Sequence, residues 1–406
     1  MNNWQKTTLK EISRVVTGKT PPTDSKEFFG GVFPFITPTD IQDGVRYCDP
    51  ERSISDKGKE YQKNILLPAD AICYTSIASV GKICITKKPS FTNQQINSVI
   101  ADKEKADYIF IYYLLQYLTP YIKSIAGGTM TSIVNKTQFE NFSFSLPPIP
   151  TQRAIAGVLS GFDDKIELLR AENKTLENIA QTIFKEWFVK DESNLPAGWR
   201  VGKLGEYVGE LISGEWGKDT ADEIHTERII CLRGTDLPDL KMGVSLRAPH
   251  RYVKKDKFDK VRLVHGDIIV EISGGTADQS TGRVAYFINE IRKRNGIGFV
   301  ASNFCKILRL KNIDIMPFFY FYWEYLYGIN LFFNFENGST GIKNLNLKGV
   351  LSHKVVLPNE EKMAEFAVIG KDCLDKIQSN NSQIQILAKL RDTLLPKLMG
   401  GEVEVK

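Results

Sequence analysis

The chain has 406 residues, more than most single hydrophobic cores support, so its length predicts two or three domains. Hydrophobic residues make up 42% of it, which is enough apolar surface to fold and excludes a disordered chain. The 53 Lys and Arg against 48 Asp and Glu give a net charge of +5, which permits a nucleic-acid partner without requiring one.

The cysteines and the N-terminus indicate the cellular compartment. Six cysteines are scattered without a CxxC pair, and the first ten residues, MNNWQKTTLK, lack the apolar core of a signal peptide. We therefore expect a cytoplasmic protein with buried thiols and no metal cluster. The most apolar run, residues 316–335, is aromatic and contains Glu324, so it predicts a buried helix and no membrane segment.

The first module, residues 1–146, begins with short β-branched and aromatic runs. FPFITPTD, DAICYTS and KICITKK are separated by Gly, Pro, Asn and Asp, which is typical of strands joined by turns. The aromatic run DYIFIYYLLQYL follows and predicts a helix. We expect a module of mixed α/β (α+β) class.

The next segment, residues 147–190, predicts a long helix. Thr151 is placed to cap its N-terminus after Pro147, Pro148 and Pro150. Its apolar positions are separated alternately by four and three residues, which is the period of about 3.5 residues of a coiled-coil seam. The expected seam residues are Leu159, Phe162, Ile166, Leu169, Asn173, Leu176 and Ile183.

The second module, residues 191–357, repeats the first. Trp4 recurs as Trp199, and FPFITPTDI matches RIICLRGTDL, which aligns Asp40 with Asp236. Such an internal repeat predicts one scaffold built twice. Because the loops of the two copies differ, the pattern favours recognition of two different targets.

The last segment, residues 358–406, predicts a second long helix with Asn359 as its N-cap. We expect Gly370 and Arg391 to weaken its seam, and Pro396 to kink or end the helix. The expected seam residues of this helix are Ile377, Asn380, Ile384, Leu387 and Leu394.

Two arrangements of the long helices are open. Either each helix covers the sheet of its own module, or the two helices pack against each other. The matched seams favour the helix pair, because polar seam residues such as Asn173 and Asn380 fix the register of paired helices.

Sequence motifs of catalysis are missing. The chain has no GxxxxGK[ST] phosphate loop, no HExxH, no GxSxG, and no Asp/Asn-Pro-Pro-Tyr/Phe tetrapeptide of the amino-methyltransferases. All four histidines lie in the second module, so a function shared by both modules cannot depend on them. We expect a binding protein without catalytic or metal-ligating residues.

Polar residues in the predicted loops are the candidates for DNA contact. Lys and Arg neutralise phosphates, whereas Asn, Gln and Arg form paired hydrogen bonds with adenine or guanine edges. The candidates are Lys19, Thr20, Thr37, Thr39, Lys82, Asn93, Gln94, Gln95, Lys136, Lys218, Arg233, Thr235, Gln279, Arg283, Asn303, Lys343 and Asn344. Taken singly, each is more often a turn or surface residue, and we interpret Asp40 and Asp236 as turn caps rather than base contacts.

The first long helix and the C-terminal tail resemble a known family. The segment LPPIPTQRAIAGVLSGFDDKIELLRAENKTLENIAQTIFKEWF resembles the central conserved region of type I restriction-modification specificity subunits, through Pro147, Pro148 and Gln152 and through the pair Asp163 and Asp164. The tail, which ends in LLPKLMGGEV, resembles their distal conserved region. The resemblance covers the whole architecture.

The resemblance implies a division of labour between subunits. Each module would be a target-recognition domain for one part of a split DNA sequence, and the two helices would run antiparallel between them as a coiled coil with pseudo-twofold symmetry. Two modification subunits would dock on the helices and methylate DNA with S-adenosylmethionine, and restriction subunits would use ATP and magnesium. This chain would hold no cofactor and would bind double-stranded DNA.

The helix length fits this expected role. About 38 residues at about 1.5 Å each span roughly 57 Å, more than the ~34 Å of one DNA turn. The helices would therefore set the spacing between the two parts of the target.

Two other classes of protein compete with this interpretation. A solitary DNA methyltransferase with fused recognition domains would need a cofactor fold and a base-handling motif, for which this length leaves no room. A two-domain protein-interaction scaffold would accept the repeat and the coiled coil equally well. DNA binding that weakens steeply with salt would distinguish a DNA-reading protein from the scaffold.

Overall fold

The computed structural model describes residues 4–125, 133–243, 246–276, 278–338 and 342–405. The chain forms two compact units. Unit 1 comprises Met1–Glu167 and Ile386–Lys406, and unit 2 comprises Leu168–Gln385. Both long helices contribute residues to both units.

The described residues of unit 1 form nine strands in three sheets. The strands are β1 (Gln5–Thr8), β2 (Ser13–Thr17), β3 (Phe29–Ile36), β4 (Ser53–Ile54), β5 (Ile72–Thr75), β6 (Ile83–Ile85), β7 (Phe91–Thr92), β8 (Ile96–Ala101) and β9 (Ser143–Leu146). The sheets have the orders β2-β8-β5-β6, β4-β3-β7 and β1-β9. All pairs are antiparallel except β3 with β7, which is parallel.

Helices cover these sheets. They are α1 (Leu9–Ile12), α2 (Asp56–Tyr61), α3 (Tyr108–Ile125), α4 (Lys136–Glu140) and the first long helix, α5 (Ile149–Phe188), with short 3-10 turns at Lys26–Phe28 and Lys63–Ile65. The aromatic run predicted to be helical forms α3, and its Phe110 and Tyr113 are fully buried against Ile72 and Tyr74 of β5. Strand β5 is buried along its whole length, as its continuous apolar sequence requires.

Unit 2 repeats this plan. Its strands are β10 (Arg200–Lys203), β11 (Val208–Ser213), β12 (Glu227–Leu232), β13 (His250–Val253), β14 (Ile268–Glu271), β15 (Ser273–Gly274), β16 (Val284–Tyr286), β17 (Gly298–Ala301), β18 (Cys305–Leu310), β19 (Glu336–Asn337), β20 (Lys343–Leu345) and β21 (Lys354–Leu357). The orders β11-β18-β14-β16, β13-β12-β17 and β10-β21 match the three sheets of unit 1, including one parallel pair, β12 with β17. The predicted internal repeat is confirmed. Unit 2 also contains the sheet β15-β20-β19, in which the pairing of Ser273 with Asn344 corresponds to an isolated bridge between Ile77 and Ile133 in unit 1.

The helices of unit 2 complete the repeat. They are α6 (Leu237–Met242), α7 (Lys255–Val261), α8 (Asn289–Asn295), α9 (Met316–Gly328), α10 (Leu347–Ser352) and the second long helix, α11 (Glu360–Met399), with 3-10 turns at Leu204–Tyr207, Gly234–Asp236, Ile313–Ile315 and Leu331–Phe335. Helix α9 is the predicted aromatic helix, and Phe318, Phe319 and Trp323 are fully buried in it. In the described part of the chain, no helix is both long and apolar enough to span a membrane.

The long helix α5 begins earlier than the sequence suggested. It starts at Ile149, so Thr151 lies in its first turn and the expected cap at Thr151 was wrong. Pro150 is tolerated there because the first N–H groups of a helix have no partner within the helix. The Gln152 N–H already donates to the Pro148 carbonyl at 3.0 Å. By contrast, the predicted N-cap of α11 is confirmed, since the Asn359 side chain accepts the Lys362 N–H at 3.0 Å.

In unit 1 the first half of α5 lies against the end of α11. Leu159 shares a core with Leu398. An ion pair joins Asp163 of α5 to Arg391 of α11, and the sequence alone did not reveal this partner of Arg391. Arg391 was expected to weaken the seam, but its charge is matched by a buried carboxylate. The helix also continues past Pro396 to Met399, because so close to the end of a helix a proline interrupts few hydrogen bonds. Of the unit 1 seam residues, Leu159 and Ile166 are buried and Phe162, Leu387 and Leu394 are half-buried.

In unit 2 the second half of α5 lies against the first half of α11. Asn173 donates to Asn381 at 2.8 Å and accepts from Asn380 at 2.9 Å, and the rings of Phe188 and Phe366 lie 5.4 Å apart. Residue numbers rise along α5 as they fall along α11, so the helices are antiparallel in this unit, as in unit 1. Of the unit 2 seam residues, Leu169, Asn173, Ile377, Asn380 and Ile384 are buried, and Leu176 and Ile183 are half-buried.

The helices also join the cores of the modules. Phe184 of α5 contacts Phe318 and Tyr322 of α9, with ring centroids 5.8 and 5.2 Å apart. Gly370 was expected to weaken the seam of α11, but it permits close approach of α9, because a Cβ there would lie 2.9 Å from Pro317. The two arrangements expected for the long helices therefore do not exclude each other. Each long helix both packs on the core of a module and pairs with the other long helix.

Candidate nucleic-acid interface

The predicted polar loops of unit 1 meet at one edge of its sheets. The Lys19 N–H donates to the Thr92 carbonyl at 2.9 Å, which joins the turn after β2 to the turn after β7. The ammonium of Lys82 donates to the Pro38 carbonyl at 2.9 Å and ties the strand β6 to the turn after β3. The Asn93 N–H donates to Ile36 at 3.1 Å. We call this group of turns the first edge; it comprises residues 17–20, 37–40, 76–82 and 93–95.

Neutral polar groups dominate the first edge. Thr20 donates to Gln94 at 2.7 Å, and Asn93 donates to Gln95 at 3.0 Å. The hydroxyl groups of Thr37 and Thr39 lie 2.9 Å apart. Thr39 and Gln94 are exposed, whereas Thr37 and Asn93 are buried and support them. The exposed hydroxyl and amide groups are both donors and acceptors, as base edges require.

The first edge carries two lysines whose charge is not matched by a carboxylate. Lys19 is exposed, with its Nζ 5.0 Å from the ring centroid of Tyr61, and Lys82 is bound only to a carbonyl. Neither has an ion-pair partner among the residues that the structure describes. Lys136 lies at the start of α4, next to the cap residue Asn135, and is paired with Glu140 at 3.3 Å.

Unit 2 builds an equivalent edge with the same backbone hydrogen bonds. The Glu215 N–H donates to Ala301 at 2.8 Å, as Lys19 does to Thr92, and the Ser302 N–H donates to Leu232 at 2.7 Å, as Asn93 does to Ile36. We call these turns the second edge; it comprises residues 214–218, 233–236, 272–276, 278–283 and 302–304. The second edge carries six of the predicted candidates, namely Lys218, Arg233, Thr235, Gln279, Arg283 and Asn303.

Both edges contain a turn closed by an aspartate. Asp40 accepts the Thr37 N–H at 2.7 Å, and Asp236 accepts the Arg233 N–H at 2.8 Å. This supports the interpretation of both aspartates as turn caps. The residue just before each aspartate is exposed; it is Thr39 in the first module and Thr235 in the second. The turn therefore presents that side chain on a fixed backbone.

The cations of the second edge are bound to carboxylates. Arg233 contacts Asp236 at 2.8 Å through two nitrogens, Arg283 contacts Glu271 at 2.6 Å, and Lys218 contacts Asp222 at 2.7 Å. Hydrogen bonds from Lys218 and from His225 hold the pKa of Asp222 well below its usual range, so it is ionised at neutral pH. The geometry favours fixed, directional donors over free positive charge.

Gln279 lies on the second edge, and Lys343 and Asn344 lie beside it. Gln279 donates to the Tyr327 hydroxyl at 3.3 Å, Lys343 pairs with Glu336 at 2.9 Å, and Asn344 is bonded to Ser273.

In the repeat, Lys343 and Asn344 do not align with Asn135 and Lys136 of the first module. The Leu345 N–H donates to Ile272 as the Val134 N–H does to Ser76, both at 2.9 Å. Asn346, which caps α10, is therefore the counterpart of the capping residue Asn135. Lys343 and Asn344 lie before that position, on strand β20.

Aromatic residues of the second edge were missed from the sequence. Phe304 follows Asn303 in the turn between β17 and β18 and is 49% exposed. Trp216 lies under the guanidinium of Arg251, 4.3 Å from its ring centroid. The residue types alone do not mark them as exposed, although the alignment of the two turns places Phe304 at the position of Gln95.

The long helices expose apolar side chains away from their seams. In unit 1 these are Val158, Ile386 and Leu390, and in unit 2 they are Leu168, Ile179 and Val368. Val368 and Leu168 are the most exposed of them, at 63% and 60%.

The described residues include no group of three or more His, Cys, Asp or Glu side chains placed to hold a metal ion. All six cysteines are free thiols and are buried, as predicted.

Comparison with known proteins identifies relatives of the whole chain. The family model described as type I restriction modification DNA specificity domain matches residues 1–178 and 196–390. The chain is 27% identical to the type I restriction enzyme MjaIX specificity subunit of Methanocaldococcus jannaschii, over 100% of this chain and 94% of that protein. It is 36% identical to the HindI specificity subunit of Haemophilus influenzae over 36% of this chain and 32% of the relative.

One solved structure shares the fold. The crystal structure of a type I restriction-modification S subunit from M. genitalium superposes with a TM-score of 0.55 and covers 98% of this chain and 96% of that one. The two sequences are 19% identical, so the likeness concerns the fold alone.

Proposed function

Because the chain belongs to the type I restriction-modification DNA specificity family, we propose that its two modules each read one part of a split double-stranded DNA target. The observation that supports this most is the repeated edge. The same backbone hydrogen bonds recur in both modules, while the side chains that they present differ. One scaffold with two different polar edges is suited to two different base sequences.

The chemistry would belong to partner subunits. In this proposal the chain recognises DNA without catalysing a reaction, two modification subunits methylate the DNA with S-adenosylmethionine, and restriction subunits cut it with ATP and magnesium. The complex would act on DNA in the cytoplasm. The missing catalytic sequence motifs support this division.

The exposed apolar faces of the long helices would dock the modification subunits. Leu168, Ile179 and Val368 in unit 2, and Ile386 and Leu390 in unit 1, would be covered in the complex. Burial of each such side chain contributes about 1–2 kcal/mol to association, so a few of them suffice for a stable contact. The helices would also set the distance between the two half-sites.

Mapping of methylated adenines tests the proposal. The chain is expressed with its modification subunits, and the methylated motif is read by single-molecule sequencing of host DNA. We expect a split motif that disappears when this chain is deleted. An unchanged methylation pattern after deletion would contradict the proposal.

Matched variants assign the half-sites. Thr39→Ala and Thr235→Ala remove equivalent exposed hydroxyl groups from the two modules. Each is expected to alter one half of the motif only, because each hydroxyl lies on one edge. If both variants altered the same half, the assignment of one module to one half-site would be wrong.

Helix length is tested separately. Deleting four residues from each long helix at paired seam positions shortens the pair by about 6 Å. We expect the gap between the half-sites to shorten by about two base pairs while both halves keep their sequences. An unchanged gap would contradict the role of the helices in spacing.

A further inference from the structure

The second module carries an exposed apolar ring where the first carries an amide. The Ile272 N–H donates to the Phe304 carbonyl at 2.8 Å, and in unit 1 the Ser76 N–H donates to the Gln95 carbonyl at the same distance. Phe304 and Gln95 are therefore equivalent in the repeat, and both follow an exposed amide residue. The repeat has kept the backbone at this position and changed the side chain.

The backbone that carries Phe304 is held on two sides. The carbonyl of Ile272 accepts the Leu345 N–H at 2.9 Å, so three segments are joined in one ladder below the ring. The Cys305 N–H closes the turn onto the Ser302 carbonyl at 3.0 Å. The exposed ring thus stands on a fixed base, which limits the entropy lost when it contacts a ligand.

Position distinguishes this side chain from other exposed apolar residues. A single exposed Ile or Phe is common on protein surfaces. Phe304, however, lies on the second edge beside Asn303, and the Ser302 N–H ties this turn to Leu232, which leads into the turn that carries Thr235. It is the exposed ring among groups whose donors and acceptors suit base edges.

Resting on the proposed function, we propose that Phe304 contacts the C5-methyl group of a thymine in the half-site read by the second module. The major groove presents one apolar group, this methyl, and an aromatic side chain is suited to contact it. Gln95, with its amide, offers hydrogen bonds at the equivalent place in the first module. The exchange of an amide for a ring changes the readout from hydrogen bonding to apolar contact.

Replacing thymine with uracil isolates this contact, because uracil pairs in the same way and lacks only the methyl group. The complete complex with modification subunits is titrated with duplexes that carry the mapped motif and one uracil at a time. We expect one substitution in the half-site of the second module to weaken binding about three- to five-fold, as expected for losing one buried methyl.

Two variants connect the effect to the ring. Phe304→Gln copies the first module and is expected to bind thymine and uracil duplexes equally. Phe304→Leu keeps an apolar side chain and is expected to retain part of the preference for thymine. Ile313→Gln is the matched control, since Ile313 is 46% exposed beyond the other end of β18 and should leave the preference unchanged.

The outcomes separate this inference from the proposed function. If no split motif exists, the proposed function itself fails. If the motif exists and binding is specific, the inference is overturned when no uracil substitution in that half-site weakens binding, or when Phe304→Gln shows the same loss as the unaltered chain. A half-site made only of G·C pairs would also overturn it.

Discussion

The first and second edges share a backbone and differ in electrostatics. On the first edge the exposed groups are hydroxyls and amides, and Lys19 and Lys82 have no carboxylate partner among the described residues. On the second edge, Arg233 and Arg283 are held by Asp236 and Glu271. The same scaffold thus tolerates free charge in one copy and fixed ion pairs in the other.

The helix seams differ in the same way. In unit 1 a buried ion pair between Asp163 and Arg391 joins α5 and α11. In unit 2 an amide cluster of Asn173, Asn380 and Asn381 does so. The comparison shows that an internal repeat keeps topology and hydrogen-bonded turns, while the polar contacts within each copy change independently.

The largest expected effect is on the seam of unit 1. Arg391→Met leaves Asp163 buried without its cation, so we expect a loss of about 3–5 kcal/mol in the stability of the helix ends there. Hydrogen exchange of α5 and α11 amides measures it region by region.

The control for this variant is Lys371→Met, which removes an exposed cation paired with Asp375 and should leave exchange unchanged. If Arg391→Met cost less than about 1 kcal/mol, the ion pair would be no more important than a surface pair, and the contrast between the seams would fail.

The seam of unit 2 should be less sensitive. Asn381→Ala leaves the amide of Asn173 and the carbonyl of Lys241 without their partners, which costs about 1–3 kcal/mol. The same exchange experiment applies, with the exposed Asn178→Ala as control. A loss larger than that of Arg391→Met would reverse the order of the two seams.

Salt dependence distinguishes the two edges. Lys19→Gln removes an unpaired cation and is expected to lower the slope of log affinity against log salt by about one. Lys218→Gln combined with Asp222→Asn removes a neutral pair and should leave the slope unchanged. Anisotropy titrations of DNA with each variant, at about 50 to 200 mM salt, measure both slopes. Equal slopes for the two variants would show that an ion-pair partner does not change what a lysine contributes to the salt dependence of DNA binding.

The smallest expected effect concerns pH. Burial alone would raise the pKa of Glu336, but hydrogen bonds from Lys343 and Thr281 lower it below the usual value. A lowered carboxyl pKa contributes stability above the usual value, and this contribution is lost as the pH falls through the lowered pKa. We therefore expect lower protection factors for the β19 and β20 amides at pH 3 than at pH 7, where each rate is divided into the intrinsic exchange rate at the same pH.

Glu336→Gln tests the assignment, because it keeps the size of the side chain and removes the titration. Its protection factors in β19 and β20 should already be lower at pH 7 and should change less with acid. A variant that kept the full pH dependence would show that another group is responsible.

Local patterns in the sequence predicted most of the architecture. The repeat, the seam period and the aspartate turns are each visible as patterns in short segments of sequence, and each led to a correct prediction. Partners far apart in sequence left no such signal. Arg391 and Asp163 are 228 residues apart, so the sequence alone showed a cation in an apolar seam and no partner. The exposure of Phe304 left no signal either, because a phenylalanine in a sequence is more often buried than exposed.

The aspartate turns have a consequence for heredity. Because Asp40 and Asp236 close their turns through backbone N–H groups, the shape of each turn does not depend on residue 39 or 235. A lineage can therefore exchange the side chain at these positions by a single codon change without loss of the fold. Under the proposed function, such descendants would mark their genomes with a new sequence while inheriting an unchanged scaffold.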